Sequence, residues 1–306
     1  MKNKFLTICT IFFVVTAIIL INVVPAMANT PNTEGSTSSH VSQVPPLSDP
    51  SKANYNSPTI DNLLDPTNPN YDPSVIYGSK GTRFDSLAKT KSSVISSPDD
   101  LTDHEAWGTE IDASNLFGVY AYQSVYNNIN LNSGDVLYAP TLRGPDGCPL
   151  EMSTVYIQNG STTNRYVSLY SWYWQAWGIE LNITPTFLYD YVKSGCYIGE
   201  LLYNGSEWHA YLYDWNTSSW DGIGDWEPSV SGTYGWDAWE EYFMSNNWPT
   251  LPQIYSNYLC VKVGDSGNDW EQVTSTYGEE LDTNMTSVYP HNFIDYYYDW
   301  YVGPGS

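Results

Sequence analysis

Cations are scarce in this chain: 11 Lys and Arg stand against 34 Asp and Glu, a formal net charge of −23 at pH 7. From His104 onward there are 25 acids and only four cations, Arg143, Arg165, Lys193 and Lys262. Phosphate binding needs a basic footprint, so nucleic acid is excluded as a partner. An acidic surface suits low pH, where protonation relieves self-repulsion, and high salt, where it is screened. Plain solubility is the reading that composition alone favours. Histidine is also rare, and His104, His209 and His291 are far apart with no ligand spacing. There is no H-E-x-x-H, no G-x-S-x-G elbow and no phosphate loop. A histidine triad or zinc site is therefore not expected, and neither is a cofactor. Carboxylates are left as the groups for acid–base chemistry.

Long apolar runs are missing except at one place. Residues 5–24 are almost wholly apolar, Lys2 and Lys4 precede them, and Ala26-Met27-Ala28 follows as a small-x-small cleavage site. Residues 1–28 read as a signal peptide. Left uncut, the same run would serve as a membrane anchor. The mature chain is expected to be secreted, and five Asn-x-Ser/Thr sequons (Asn159, Asn182, Asn204, Asn216, Asn284) are compatible with that. Cysteine is sparse as well: Cys9 lies in the leader, leaving Cys148, Cys196 and Cys260. Outside the cell one disulfide is expected among these three, with the pairing open and one buried thiol left over.

Residues 29–103 are rich in Pro, Ser, Asn and Thr, and read as a disordered linker or pro-segment. Within them Lys80, Arg83, Lys89 and Lys91 form the one basic patch of the mature chain. It is expected either to dock on the acidic domain or to stay solvated. Residues 104–306 are long enough for one domain with a real core. Strand patterns rich in Tyr, Trp and Val recur at 116–122, 135–139, 149–157, 165–174, 197–203, 208–215, 235–243 and 254–263. Asn204-Gly205-Ser206-Glu207 between two of them is a hairpin signal. The fold expected is all-β, an antiparallel sandwich of concanavalin-like jelly-roll type. One short helix is expected from Thr184-Pro185 to about residue 193. Two loops share the pattern D-x-x-x-D-W-E, at Asp221 and Asp265. They read as polar turns, with calcium as the alternative.

Two acids break the strand patterns. Glu151, in Leu150-Glu151-Met152-Ser153-Thr154-Val155, is the only acid between Asp146 and Glu180. An acid set in an apolar strand must be desolvated, which raises its pKa. Such a group is a structural acceptor or a working acid. The second lies in Trp236-Asp237-Ala238-Trp239-Glu240-Glu241-Tyr242-Phe243. Strand alternation puts Trp236, Ala238, Glu240 and Tyr242 on one face, and Asp237, Trp239, Glu241 and Phe243 on the other. Glu240 follows the tighter apolar pattern, with Glu241 as the alternate. Taken alone, both acids read first as hydrogen-bonded or exposed structural residues.

These segments resemble the glutamic peptidase superfamily, the eqolisins and neprosin-type enzymes. Asp135-Val136-Leu137-Tyr138-Ala139-Pro140 is similar to the strand entering their first sheet. Leu150-Glu151-Met152-Ser153 resembles the segment with the first catalytic residue, Gln in eqolisins and Glu in neprosins. Residues 236–243, followed by Leu251-Pro252, resemble the strand with the second catalytic Glu. The likeness covers about residues 115–265, and Trp-Asp-Ala-Trp-Glu-Glu departs from the eqolisin motif. It implies a secreted, acid-acting endopeptidase in which Glu240 takes a proton from water and Glu151 donates to the oxyanion. Tyr170, Trp172 and Trp174 would bind an extended polypeptide, and the basic pro-segment would cover the cleft. Two other readings stay open: a lectin-like carbohydrate-binding sandwich and a catalytically inactive surface protein.

Overall fold

Alternating Tyr, Trp and Val produces strands at all eight expected places, and the strands assemble into two sheets. The structure, a computed structural model, describes residues 54–55, 76–77 and most of 103–303. The signal segment and the Lys80, Arg83, Lys89 and Lys91 patch lie outside the described residues. One sheet runs in the order β15 (Gly278–Thr283), β3 (Asp103–Asp112), β12 (Tyr234–Phe243), β5 (Val136–Arg143), β6 (Leu150–Asn159), β7 (Thr162–Ser171), β8 (Ala176–Asn182), β2 (Ile76–Tyr77). The other runs β1 (Asn54–Tyr55), β11 (Ser219–Trp226), β10 (Trp208–Asp214), β9 (Cys196–Tyr203), β4 (Gly118–Ser124), β13 (Ile254–Lys262), β17 (Asp299–Val302), β16 (His291–Asp295). A further strand, β14 (Trp270–Gln272), also pairs with β13. Every pairing is antiparallel except β1 with β11. The expected all-β sandwich is what the chain forms. Two short strands, β1 and β2, come from the stretch read as linker and add to sheet edges.

The hairpin at Asn204 joins β9 to β10. The Asn204 side chain accepts from the Ser206 and Glu207 backbone N–H groups at 2.9 and 3.0 Å, and Gly205 takes the left-handed φ of +99°. The helix also forms: α1 (Pro185–Tyr191) starts at Thr184, whose side chain accepts from the Phe187 N–H at 3.2 Å. No helix among the described residues is long and apolar enough to cross a membrane.

Strand β6 shows how the sandwich is built. Met152 points inward, where its sulfur fills the space that a Cβ on Gly199 of the facing sheet would occupy. Thr154 points the same way and bonds the Tyr197 hydroxyl across the sheets at 2.9 Å. Glu151, Ser153 and Val155 therefore lie on the outer face. That face is not bare. Tyr138 stacks on Trp177 at 5.0 Å and meets Tyr242 edge-on at 5.7 Å, while Tyr170 tilts against Trp177 at 5.0 Å. These rings, with Val136 and Val155, form an aromatic floor that buries β6 on both sides.

The disulfide expectation is corrected. Cys148, Cys196 and Cys260 are all free and buried. Cys196 and Cys260 lie on β9 and β13, which flank β4 rather than each other. Two strand spacings, about 9.5 Å, exceed disulfide reach. Cys148 belongs to the loop between β5 and β6, packed on Gly144.

Candidate active site

Glu151 is fully buried, yet it is densely partnered. The Thr141 hydroxyl donates to Oε1, and Thr141 in turn bonds Ser153 at 2.7 Å. Two indoles complete the shell: Trp172 donates to Oε2 at 2.9 Å and Trp236 to Oε1 at 3.2 Å. The strand register explains this convergence. Glu151 pairs with Arg143 on β5, and Arg143 pairs with Trp236 on β12, so one row across three strands brings Trp236 over Glu151. Trp172 follows the end of β7, whose Tyr170 pairs with Glu151 from the other side.

Glu240 stands further along β12, on the same face as Trp236. It lines a cavity of about 240 Å³ together with Trp172, Trp236, Tyr242, Ala106, Ala238, Leu281 and Thr283. Tyr242 donates to Glu240 Oε1 at 3.0 Å. Burial first, and then the Glu240 charge, push the Tyr242 hydroxyl up, and the Glu151 charge adds to this. Tyr242 thus stays a donor and lies within the field of both carboxyls. The two walls that Trp172 and Trp236 give the cavity are the same two indoles that hold Glu151. Two small residues, Ala238 and Ala106, are also part of the lining.

Glu241 is elsewhere. It faces the sandwich interior, 0 % exposed, and among the described residues neither carboxyl oxygen has a hydrogen-bond partner. Burial, then the charges of Asp135 and Glu105, hold its pKa well above the usual carboxylate range. Asp237, on the same inner face, accepts from Gln123 at 3.2 Å and Trp300 at 3.0 Å. Burial raises it to about 6 against those hydrogen bonds.

The expected residues therefore separate. Glu240 and Trp172 line one cavity, and Glu151, fully buried, is held by Trp172 and Trp236, two of the residues that wall it. Tyr170 sits behind it in the aromatic floor, in edge contact with Trp172 at 5.3 Å, and Trp174 lies outside the described residues. Sequence reasoning missed Trp236, Tyr242 and Thr141 as partners of the acids. The first two share the Glu240 face by simple alternation, so the signal was present. Two histidines are engaged elsewhere: His209 pairs with Glu207 at 3.0 Å, and His291 packs on the Trp107 ring at 4.8 Å. Among the described residues no group of three His, Cys, Asp or Glu side chains is arranged to hold a metal. The second D-x-x-x-D-W-E loop lies largely outside them.

No family model matches this chain, and no curated protein matches it. Among solved structures it is similar to the crystal structure of scytalido-glutamic peptidase with a peptide-based transition state analog. That likeness has 13% sequence identity and a TM-score of 0.38, covering 66% of this chain and 98% of that chain. It is a distant likeness, too low to carry a residue-by-residue correspondence.

Proposed function

We propose that the domain is a secreted, acid-acting endopeptidase that uses Glu151 and Glu240 as a carboxyl pair. The observation that supports this reading is the shared frame. Trp172 and Trp236 hold Glu151 by their N–H groups and also wall the cavity that Glu240 lines. In this reading the two carboxyls act together, Glu240 from the cavity and Glu151 from behind the indoles that wall it. Glu240 borders open space, so it takes the proton from a water that attacks the scissile carbonyl. Glu151, when protonated, donates to the oxyanion. The apolar walls Leu281, Ala106 and Ala238 receive a substrate side chain, and the indoles pack on the peptide. In this reading the basic patch at Lys80, Arg83, Lys89 and Lys91 is the intramolecular partner of the acidic domain, steered by opposite charge.

The test is direct. Purified residues 29–306 are incubated with an unfolded protein substrate across a range from strongly acidic to neutral pH. Cleavage in acid, with self-removal of the segment before residue 104, is expected. Absence of both throughout the range overturns the reading. The aromatic lining also suits stacking on a sugar ring. Retention on a glycan array that is lost in Trp172→Ala, without any proteolysis, would instead identify a carbohydrate-binding module.

A further inference from the structure

Arg143 ends β5 and is nearly buried, one of four cations among residues 104–306. Its guanidinium carbon lies 4.4 Å from the centroid of the Trp172 ring and 4.7 Å from that of Trp236. The two rings meet edge to face, with centroids 5.5 Å apart at 87°. A single planar cation thus touches both indoles, and each indole donates to a different oxygen of Glu151. Burial pulls the Arg143 pKa down, and the Glu151 charge opposes it. Its Nε has no hydrogen-bond partner among the described residues. A buried guanidinium with an idle Nε is not placed there for hydrogen bonding through that atom. What it contributes is charge and a flat face, the two properties that distinguish Arg from Lys at an aromatic site.

The geometry points to Arg143 as the positioning residue of this site: gripping Trp172 and Trp236 by their faces, it keeps their two N–H groups aimed at the two oxygens of Glu151. It touches no reacting atom. An indole left ungripped can swing about two side-chain torsions, and the carboxyl it holds then loses its fixed orientation. The charge acts as well, because the guanidinium and the Glu151 carboxyl interact electrostatically. The consequence for catalysis rests on the proposed peptidase reading, whereas the gripping of the indoles does not.

The experiment compares the purified wild-type chain with Arg143→Met and Arg143→Lys. Indole N–H exchange is followed by nitrogen-15 NMR. In Arg143→Met the Trp172 and Trp236 N–H groups should exchange at least about tenfold faster, while the Trp300 N–H, held by Asp237 on the inner face, stays protected and reports an intact fold. Arg143→Lys, which keeps the charge without the plane, should fall between the two. In proteolysis, Arg143→Met should lower kcat with KM little changed. It should also move the acid limb of the pH profile upward, and Arg143→Lys should return that limb toward its original position. A merely structural role would leave the limb in place. Unchanged Trp172 and Trp236 exchange in a folded Arg143→Met chain overturns the proposal. Should Arg143→Met fail to fold, unchanged exchange in Arg143→Lys has the same force. If the wild type shows no proteolysis, the peptidase reading fails, and the exchange data still decide the role of Arg143.

Discussion

Strand β12 carries three carboxylates within five residues, and its two faces treat them in opposite ways. On the outer face Glu240 borders a cavity, accepts from Tyr242 and lies beside an aromatic frame that also holds Glu151. On the inner face Asp237 and Glu241 are sealed into the core. Asp237 is served by Gln123 and Trp300. Glu241 has no hydrogen-bond partner among the described residues, sits directly opposite Glu105 in the register with β3, and feels Asp135 as well. Like charges opposite each other across a strand pair are destabilising, and an unpaired buried carboxylate is far more so. Burial therefore favours the protonated forms of Glu241 and Asp237. The difference teaches that the acids of this strand have two jobs. One face offers a carboxyl to the outside, and the other ties the folded state to low pH.

The largest effect expected is on the outer face. Glu240→Gln should reduce acid proteolysis by about 100-fold or more, with thermal stability little changed. Glu151→Gln should keep measurable activity, because an amide can still donate to an oxyanion. Equal loss from both, or from a remote surface acid, would dissolve the distinction between a working pair and ordinary acids. The next effect is on the inner face. Glu241→Met should raise stability near neutral pH by about 3 kcal/mol, and by much less in acid. Urea unfolding at the two pH values reads this, and an equal change at both would show that the charge is not the cause.

The sign follows from linkage. A carboxyl whose folded pKa is raised gives its full stabilisation below the unfolded value and loses it as pH rises through the folded value. For Asp237 that window runs from about 4, its unfolded value, to about 6. Stability should fall across this window in the wild type, and Asp237→Asn should flatten about 2 kcal/mol of the fall. A wild type that gains stability over the same window would contradict the inner-face account. The smallest effect returns to the outer face. Tyr242→Phe removes the donor to Glu240 and should change kcat/KM about fivefold, corresponding to about 1 kcal/mol for one hydrogen bond.

Much of the fold is legible because strand alternation is local. The segments that became β5, β6, β12 and β13 are recognisable from their own residues. The acid-laden edge strand β15, Gly-Glu-Glu-Leu-Asp-Thr, is not, since it is largely exposed and has little to bury. Strand β3 is equally hard to read, as its acids resemble a loop until β12 and β15 pair with it on either side. The site was half legible. Glu151 stood out as a lone acid in an apolar strand. Arg143 carried the same kind of signal, a lone cation at the end of another, and it went unread because its counterparts, Glu151 and two ring faces, come from other strands and a loop.

By itself the sequence determined which residues share a face: Glu240 with Trp236 and Tyr242, and Glu241 with Asp237. That follows from a two-residue period, which needs no knowledge of the rest of the chain. Only the tertiary structure decided which face points outward, and that Trp236 reaches Glu151 across 85 positions of sequence. It also decided that β4 separates Cys196 from Cys260. Strand order and register are settled by the packing of both sheets together, and no local pattern contains them.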